Sequence, residues 1–391
     1  MQTEATGKLY YSDSLLFTFR AKLLSVEESG GKTALILDRT AFFPEGGGQR
    51  ADTGYIGGIR VTDVRESEGR ILHFTDSEGP FPETGEELEC KVDSEQRLRR
   101  MQNHSGEHIV SGIVHNLFGY DNVGFHMGQP CMTIDFSGEL SWDELMRIET
   151  LANETVRKNV PINTFFPDPE ELKNLEYRSK LDLTQNVRIV EIEGVDRCAC
   201  CAPHMKSTGA VGIIKILSSM KHRGGVRIEL VCGTDALDVL RGFQKSVTDI
   251  SVLLSAKREE IAEAAGRLMS ERDALKYRLT GLEEEISDSI AEAAAETDGN
   301  ICIFRSFDSD AAVRNLVNRL TEKCGGAAAV FSGSDSAGYR YVIGSASVNL
   351  REKAAAINTA ISGRGGGKPG MISGSASASR AVIEEYFRGI I

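Results

Sequence analysis

Asn103-His104-Ser105-Gly106-Glu107-His108 and, about ninety residues further on, Cys200-Cys201-Ala202-Pro203-His204 decide how this chain is read. Each stretch sets two metal-ligating side chains four residues apart. On a helix that spacing places two imidazoles on one face, about one turn apart. Two imidazoles from one segment, with a thiolate and a third imidazole from another, suit Zn²⁺, which takes nitrogen and sulfur ligands in a tetrahedron. Either half alone carries little weight. Together, in a chain with only 7 histidines, they single out His104, His108, Cys200 and His204 as ligands for one zinc ion per chain. His73, His115, His126 and His222 have no comparable spacing. Cys198 and Cys201 stay open as competing thiolates; the gap from Cys200 to His204 mirrors that from His104 to His108. A metalloprotease would carry Glu directly after its first His. Here Glu107 directly precedes the second His, which turns it to another side of the helix and removes support for a protease; Glu107 reads as a base or, in preference, a surface carboxylate.

Working outward, residues 1–94 hold short β-rich stretches such as Leu16–Leu24 and Thr33–Leu37, punctuated by glycine pairs and triplets, which predicts a small β-barrel. Residues 95–235 predict an α+β domain. A helix from Ser94 to Phe118 stops at Gly119, and Ser141 with Glu144 forms a capping box for a second helix from Trp142 to Asn159. Apolar strands follow near 187–192, 211–217 and 226–231. Residues 236–298 carry apolar positions at near-heptad spacing, including Phe243, Val247, Leu254, Ile261, Leu268, Leu275 and Leu282. Gly266 and Gly281 weaken the pattern, so a hairpin or two helices is expected in place of one rod. An amphipathic spacer and a dimerising coiled coil both fit this segment. Residues 299–391 alternate strand and helix, predicting an α/β domain. The fold class is α+β, in several domains.

The chain has 391 residues, 41% hydrophobic and 26% charged, near the globular average, which excludes wholesale disorder. No apolar run approaches a membrane span, and the N-terminus lacks the pattern of a signal peptide. A reducing, cytoplasmic setting follows, with the thiols serving metal or chemistry instead of disulfides. Net charge is −12, against a generic polyanion-binding surface. The charge is uneven: residues 300–391 hold 11 Lys and Arg against 7 Asp and Glu, net +4. That basic end permits a nucleic-acid partner.

Two glycine runs complete the inventory. Gly46-Gly47-Gly48-Gln49 lets backbone amides approach a ligand and follows them with an amide that both donates and accepts; a tight hairpin explains it equally. There is no Lys-Ser/Thr after the glycines, so it is not a phosphate loop. Gly363-Arg364-Gly365-Gly366-Gly367-Lys368-Pro369-Gly370 reads as a flexible loop whose amides and two cations could hold phosphates.

These motifs together resemble the alanyl-tRNA editing proteins, free-standing relatives of the editing part of alanyl-tRNA synthetase. The resemblance rests on DRTAFFPEGGGQRADTG at 38–54, NHSGEH at 103–108, GFHMG at 124–128, IDFSGEL at 134–140, CCAPHMKSTGAVG at 200–212 and GGVRIELVCG at 224–233. The end of the chain, with GRGGGKPGMISG at 363–374, resembles the DHH-associated domain that follows the editing domain in the synthetase. The resemblance implies zinc-dependent hydrolysis of the ester joining serine or glycine to the tRNA for alanine, and no aminoacylation. It places His104, His108, Cys200 and His204 at the zinc positions. It puts Gly47, Gly48 and Gln49, with Phe125, His126 and Met127, around the amino-acid pocket, and tRNA on Arg364, Gly365, Gly366, Gly367 and Lys368. Catalysis falls to a water at the zinc site, with Gln49 a candidate helper; zinc could activate that water or only order the pocket. Where the family has Cys-Gly-Gly-Thr-His, this chain has Cys-Cys-Ala-Pro-His, and Ser-Gly-Gly-Gln is Gly-Gly-Gly-Gln. Editing of another aminoacyl-tRNA, such as serine on the tRNA for threonine, and a non-catalytic tRNA-binding protein with structural zinc are the alternatives. A homodimer through the helical segment or the C-terminal domain is expected.

Overall fold

The computed structural model describes residues 5–128, 130–179 and 186–389. It divides into two compact units, Met1–Ser246 and Val247–Ile391. Both mix sheets with helices, as the α+β reading requires.

The first unit begins with a seven-stranded antiparallel sheet. Its order is Ile59–Val61, Gly54–Ile56, Glu87–Val92, Thr18–Ser29, Lys32–Leu37, Arg70–Thr75, Asp63–Ser67. Thr18–Ser29 buries Phe19, Ala21 and Leu23 and exposes the residues between them, the two-residue period of a strand with one apolar face. A register shift between Leu23 and Ser25 marks where its pairing is irregular. The two outermost strands are consecutive in the chain, separated only by Thr62, whose N–H donates to the Phe74 carbonyl at 2.9 Å. The sheet therefore curls round toward its own far edge, enclosing Leu35, Leu37, Phe42, Val64 and Ile71.

The long helix Ser94–Phe118 follows. Asp93 caps it by accepting from the Gln96 amide, and Gly119, at φ 69, ends it. Such local signals are why both ends could be read from sequence. This helix and Trp142–Lys158, with its capping box at Ser141 and Glu144, cover a four-stranded antiparallel sheet ordered Asn122–Met127, Met132–Phe136, Gly225–Cys232, Ile214–His222. Met101, Ile109, Ile113 and Val114 meet Ile134, Ile228 and Leu230 there. The helix lies very close to the sheet at Gly106, where an added Cβ would sit 2.2 Å from Cys232 Sγ. A three-stranded sheet, Ile162–Phe165, Ile189–Ile192 and Asp196–Ala199, stands beside it.

The helical segment is two helices, Gly233–Leu253 and Ile261–Ala293, but the break is not at a glycine. It falls at 254–257, where Ser255 takes φ +49. Gly266 and Gly281 sit inside the continuous second helix with open space around them. A glycine costs a helix about 1 kcal/mol, too little to divide one of 33 residues. Leu268, Leu275 and Leu282 are exposed along it.

The rest of the second unit is a five-stranded sheet ordered Ile301–Phe304, Ala328–Ser334, Gly338–Gly344, Met371–Ala376, Gly363–Lys368, with helices Asp310–Thr321, Leu350–Ala360 and Arg380–Arg388. The first pair is parallel and the others antiparallel. Gly363–Lys368, expected as a flexible loop, is an edge strand paired along its length with Met371–Ala376. A glycine run has no side-chain alternation to announce a strand. At Gly365 the missing side chain is required, since a Cβ would lie 2.4 Å from the Tyr341 hydroxyl. Among the described residues no helix is long and apolar enough to cross a membrane.

Candidate metal centre

Helical spacing brings His104 and His108 to one face of Ser94–Phe118, each only 2% exposed. Cys200 and His204 come from the loop after strand Asp196–Ala199. That loop is fixed by its carbonyls: the Arg188 guanidinium donates to Cys200 O at 3.0 Å and Ala202 O at 2.7 Å, and Ser14 Oγ donates to His204 O at 2.8 Å. Cys200 Sγ then lies 3.5 Å from His104 Nε2 and 3.4 Å from His204 Nε2. One ligand atom from each of His104, His108, Cys200 and His204 falls within 4.8 Å of the other three.

The outer side of each imidazole meets an acceptor. His104 Nδ1 faces Gln49 Oε1 at 2.9 Å, and His108 Nδ1 faces Asp196 Oδ2 at 2.8 Å. His204 Nδ1 faces Ser105 Oγ at 3.2 Å, an oxygen that also accepts the Met205 amide at 3.0 Å. An acceptor outside keeps the proton on Nδ1 and turns the Nε2 lone pair inward, the arrangement of metal-binding histidine. Burial opposes ionising the Cys200 thiol, but His104 and His204 beside it draw it well below the ordinary thiol range. Burial pushes His204 down to about 3, against the opposing pull of the Cys200 sulfur. His108 is raised, because the carboxylates of Glu107 and Asp196 outweigh its burial. Three buried imidazole nitrogens and one sulfur facing one another at this spacing make a donor set that could hold a metal. Of the competing thiols, burial pushes Cys198 and Cys201 up to about 11. Cys198 groups with His108 and Asp196, while Cys201 turns to the glycine loop, 3.5 Å from a Cβ built on Gly47.

An open cleft runs over this group, with Gly47, Gly48, His104, Glu107, Phe125 and Cys200 in its lining. Gly48 has φ +83, and a Cβ there would lie 2.6 Å from Phe125 Cδ1, so the glycine lets the loop rest on that ring. The Phe125 ring centroid is 5.0 Å from that of His104. Gln49 is fully buried; its Oε1 serves His104 and, among the described residues, its Nε2 has no partner. Strand alternation divides the other pocket candidates: Met127 is buried, its amide donating to Gly48 O at 3.4 Å, and His126 between them is exposed. Arg364 to Lys368 are exposed on the edge strand of the second unit.

Glu107 is not a surface carboxylate. It is 5% exposed, and its Oε1 accepts from Ser111 Oγ at 2.6 Å and Asn122 Nδ2 at 2.5 Å. Positions 104, 107, 108 and 111 share one helix face, a signal present in the sequence. No local sequence pattern marks Asp196 or Arg178 as part of this site. Arg178 reaches Asp196 Oδ1 at 2.7 Å and Oδ2 at 2.9 Å.

Three family models match the chain: tRNA synthetases class II (A) over residues 3–96, the threonyl and alanyl tRNA synthetase second additional domain over 187–229, and the DHHA1 domain over 298–385. An alanyl-tRNA editing protein, AlaX-L, of Pyrococcus horikoshii is 32% identical over 286 residues, 71% of each chain. Alanine–tRNA ligases are also similar. That of Methanopyrus kandleri is 32% identical over 303 residues, covering 74% of this chain and 33% of the ligase. That of Archaeoglobus fulgidus is 29% identical over 395 residues, covering 95% of this chain and 42% of the ligase. The chain thus spans a third to two fifths of the length of these ligases.

Proposed function

Because this chain belongs to the alanyl-tRNA editing family, we propose that it is a zinc-dependent deacylase that removes serine, and also glycine, from wrongly charged tRNA for alanine. The observation that carries the zinc assignment is the group of three inward Nε2 atoms around one low-pKa thiol. Tetrahedral zinc would set sulfur and nitrogen ligands about 3.6 Å apart; the separations here are 3.4 and 3.5 Å. His104, His108, Cys200 and His204 would hold the ion, which supplies Lewis acidity toward water or the ester carbonyl. Gln49, Asp196 and Ser105 hold the three rings in the ligating tautomer. The Gly47-Gly48 backbone and the Phe125 ring shape the pocket, and the spare Gln49 Nε2 gives a donor for the substrate.

Such a second site has a physical rationale. A pocket for alanine's methyl cannot strongly reject a side chain that merely adds a hydroxyl, discriminating by about 10²-fold at most. A site that hydrogen-bonds the seryl hydroxyl spares alanine, which would leave the buried partner unpaired. We assign the curled sheet of 1–94 as a small barrel, 95–235 as the editing domain, 236–298 as the linker and 299–391 as the tRNA-binding domain. Arg364 and Lys368 would meet phosphates. Self-association is assigned to the exposed leucines of the linker or to the C-terminal domain.

The test is deacylation of seryl-, glycyl- and alanyl-tRNA for alanine and seryl-tRNA for threonine, with metal content measured on the same sample. Release of serine from the alanine tRNA, with alanine spared and about one zinc per chain, is expected. Retention of every ester by zinc-loaded protein would overturn the proposal.

A further inference from the structure

Glu107 is a buried carboxylate with one oxygen committed and one uncommitted. Ser111 and Asn122 both donate to Oε1 and so fix the side chain. Among the described residues no hydrogen-bond donor pairs with Oε2. Its nearest charged neighbour is His108 Nε2, at 3.7 Å. Yet Glu107 is outside the compact group formed by His104, His108, Cys200 and His204. Glu107 also lines the same cleft as His104, His108 and Cys200. A carboxylate held this tightly, beside a metal set and facing the same cleft, calls for a cation that arrives with the substrate.

We propose that Glu107 Oε2 binds the α-ammonium group of the esterified amino acid. The inference rests on the deacylase reading and goes beyond it by stating which feature of the acyl group the site requires. An aminoacyl ester carries its ammonium one carbon from the reacting carbonyl. A fixed anion beside the metal group therefore orients that carbonyl as well as binding the cation. The network to Ser111 and Asn122 keeps Oε2 in place without competing for it. The same contact makes the site selective for free aminoacyl esters over esters whose α-nitrogen is acylated or replaced.

The test compares seryl-tRNA for alanine with the same tRNA carrying glyceric acid, in which a hydroxyl replaces the ammonium. Wild-type protein should prefer the seryl ester in kcat/KM by about 10- to 100-fold, the scale of one charge-assisted hydrogen bond. In Glu107→Gln that preference should shrink toward unity, with zinc content unchanged. Equal hydrolysis of both esters by the wild type overturns the inference while leaving the deacylase reading intact, and needs no variant to fold. Hydrolysis of neither ester defeats the deacylase reading itself. If Glu107→Gln slows both esters by the same factor, Glu107 acts on water or on the fold and not on the ammonium, and the inference also fails.

Discussion

Asp196→Asn removes the negative charge behind His108 with almost no change in shape. The carboxylate answers two donors at once: Oδ2 faces His108 Nδ1 at 2.8 Å, and both oxygens receive Arg178, at 2.7 and 2.9 Å. An asparagine has one oxygen, so either the imidazole N–H or one arm of the guanidinium must face an NH₂ group. The Asp196 side chain is 1% exposed, so water does not replace the lost bond. Outer partners of metal-bound histidine carry about 10- to 100-fold in metal affinity, or about 1.4–2.8 kcal/mol. With burial this deep, the upper end is expected. Competition with a chromogenic chelator at pH 7 measures it directly. The zinc dissociation constant should rise by about 100-fold, and activity should return when zinc is in excess. The metal-free variant should also melt earlier, since Arg178 loses part of its partner at a cost of about 1–3 kcal/mol. Unchanged zinc affinity would refute the reasoning, because it would mean that His108 does not ligate or that its outer hydrogen bond does nothing for the metal.

His73 is fully buried in the N-terminal sheet, its ring between Thr40 Oγ1 and Leu35 O, and burial lowers it to about 4. Its folded pKa lies below the unfolded value of about 6.5, so its share of stability is complete above that value. That share, up to about 3 kcal/mol, is lost as pH falls toward 4; denaturant melts between pH 7 and 4 should show the loss, and His73→Gln should flatten it. Gly48→Ala puts a Cβ at φ +83 against the Phe125 ring. It should cut kcat/KM by about tenfold or more with zinc content retained. Arg364→Ala with Lys368→Ala should weaken tRNA binding and reduce the slope of log affinity against log salt by roughly 1.5–2. Deleting 299–391 should do the same more strongly, and an unchanged slope would place recognition in the first unit.

What was legible in the sequence is what local spacing encodes. His104 and His108 had to share a helix face, and the caps at Ser141 and Gly119 needed only their neighbours. Cys200 and His204 could be paired with them because a metal set is incomplete in halves. Glu107 was legible in part, since its spacing from His104 and Ser111 puts all three on one helix face; Asp196 was not, because what makes it matter is His108, 88 residues away. The helix break at 254–257 escaped for a different reason. Gly266 and Gly281 are weak breakers that the second helix absorbs, while Ser255, a residue with no strong breaking tendency, takes the left-handed turn. The Gly363–Lys368 strand escaped because its pattern is an absence of side chains, and only its partner strand and Tyr341 give that absence a cause.

The N-terminal segment is part of the candidate metal site and not an accessory to it. It supplies Gln49 to His104, and the chain just before its first long strand supplies Ser14 to the His204 carbonyl. It also supplies Asp52, which pairs with the fully buried Arg97 on the helix that carries both histidines, and accepts the Phe43 amide at 2.7 Å at the root of the glycine loop. One carboxylate thus ties the loop bearing Gln49 to the helix bearing His104. A buried guanidinium without that partner would cost several kcal/mol, so loop and helix are held in register by the same interaction that stabilises them. The tautomer of His104 depends on Gln49, and the position of Gln49 depends on Asp52 and Arg97. The candidate donor set and the shape of the pocket are therefore set together, by a chain of contacts running from the glycine loop through one helix to the His104 ring.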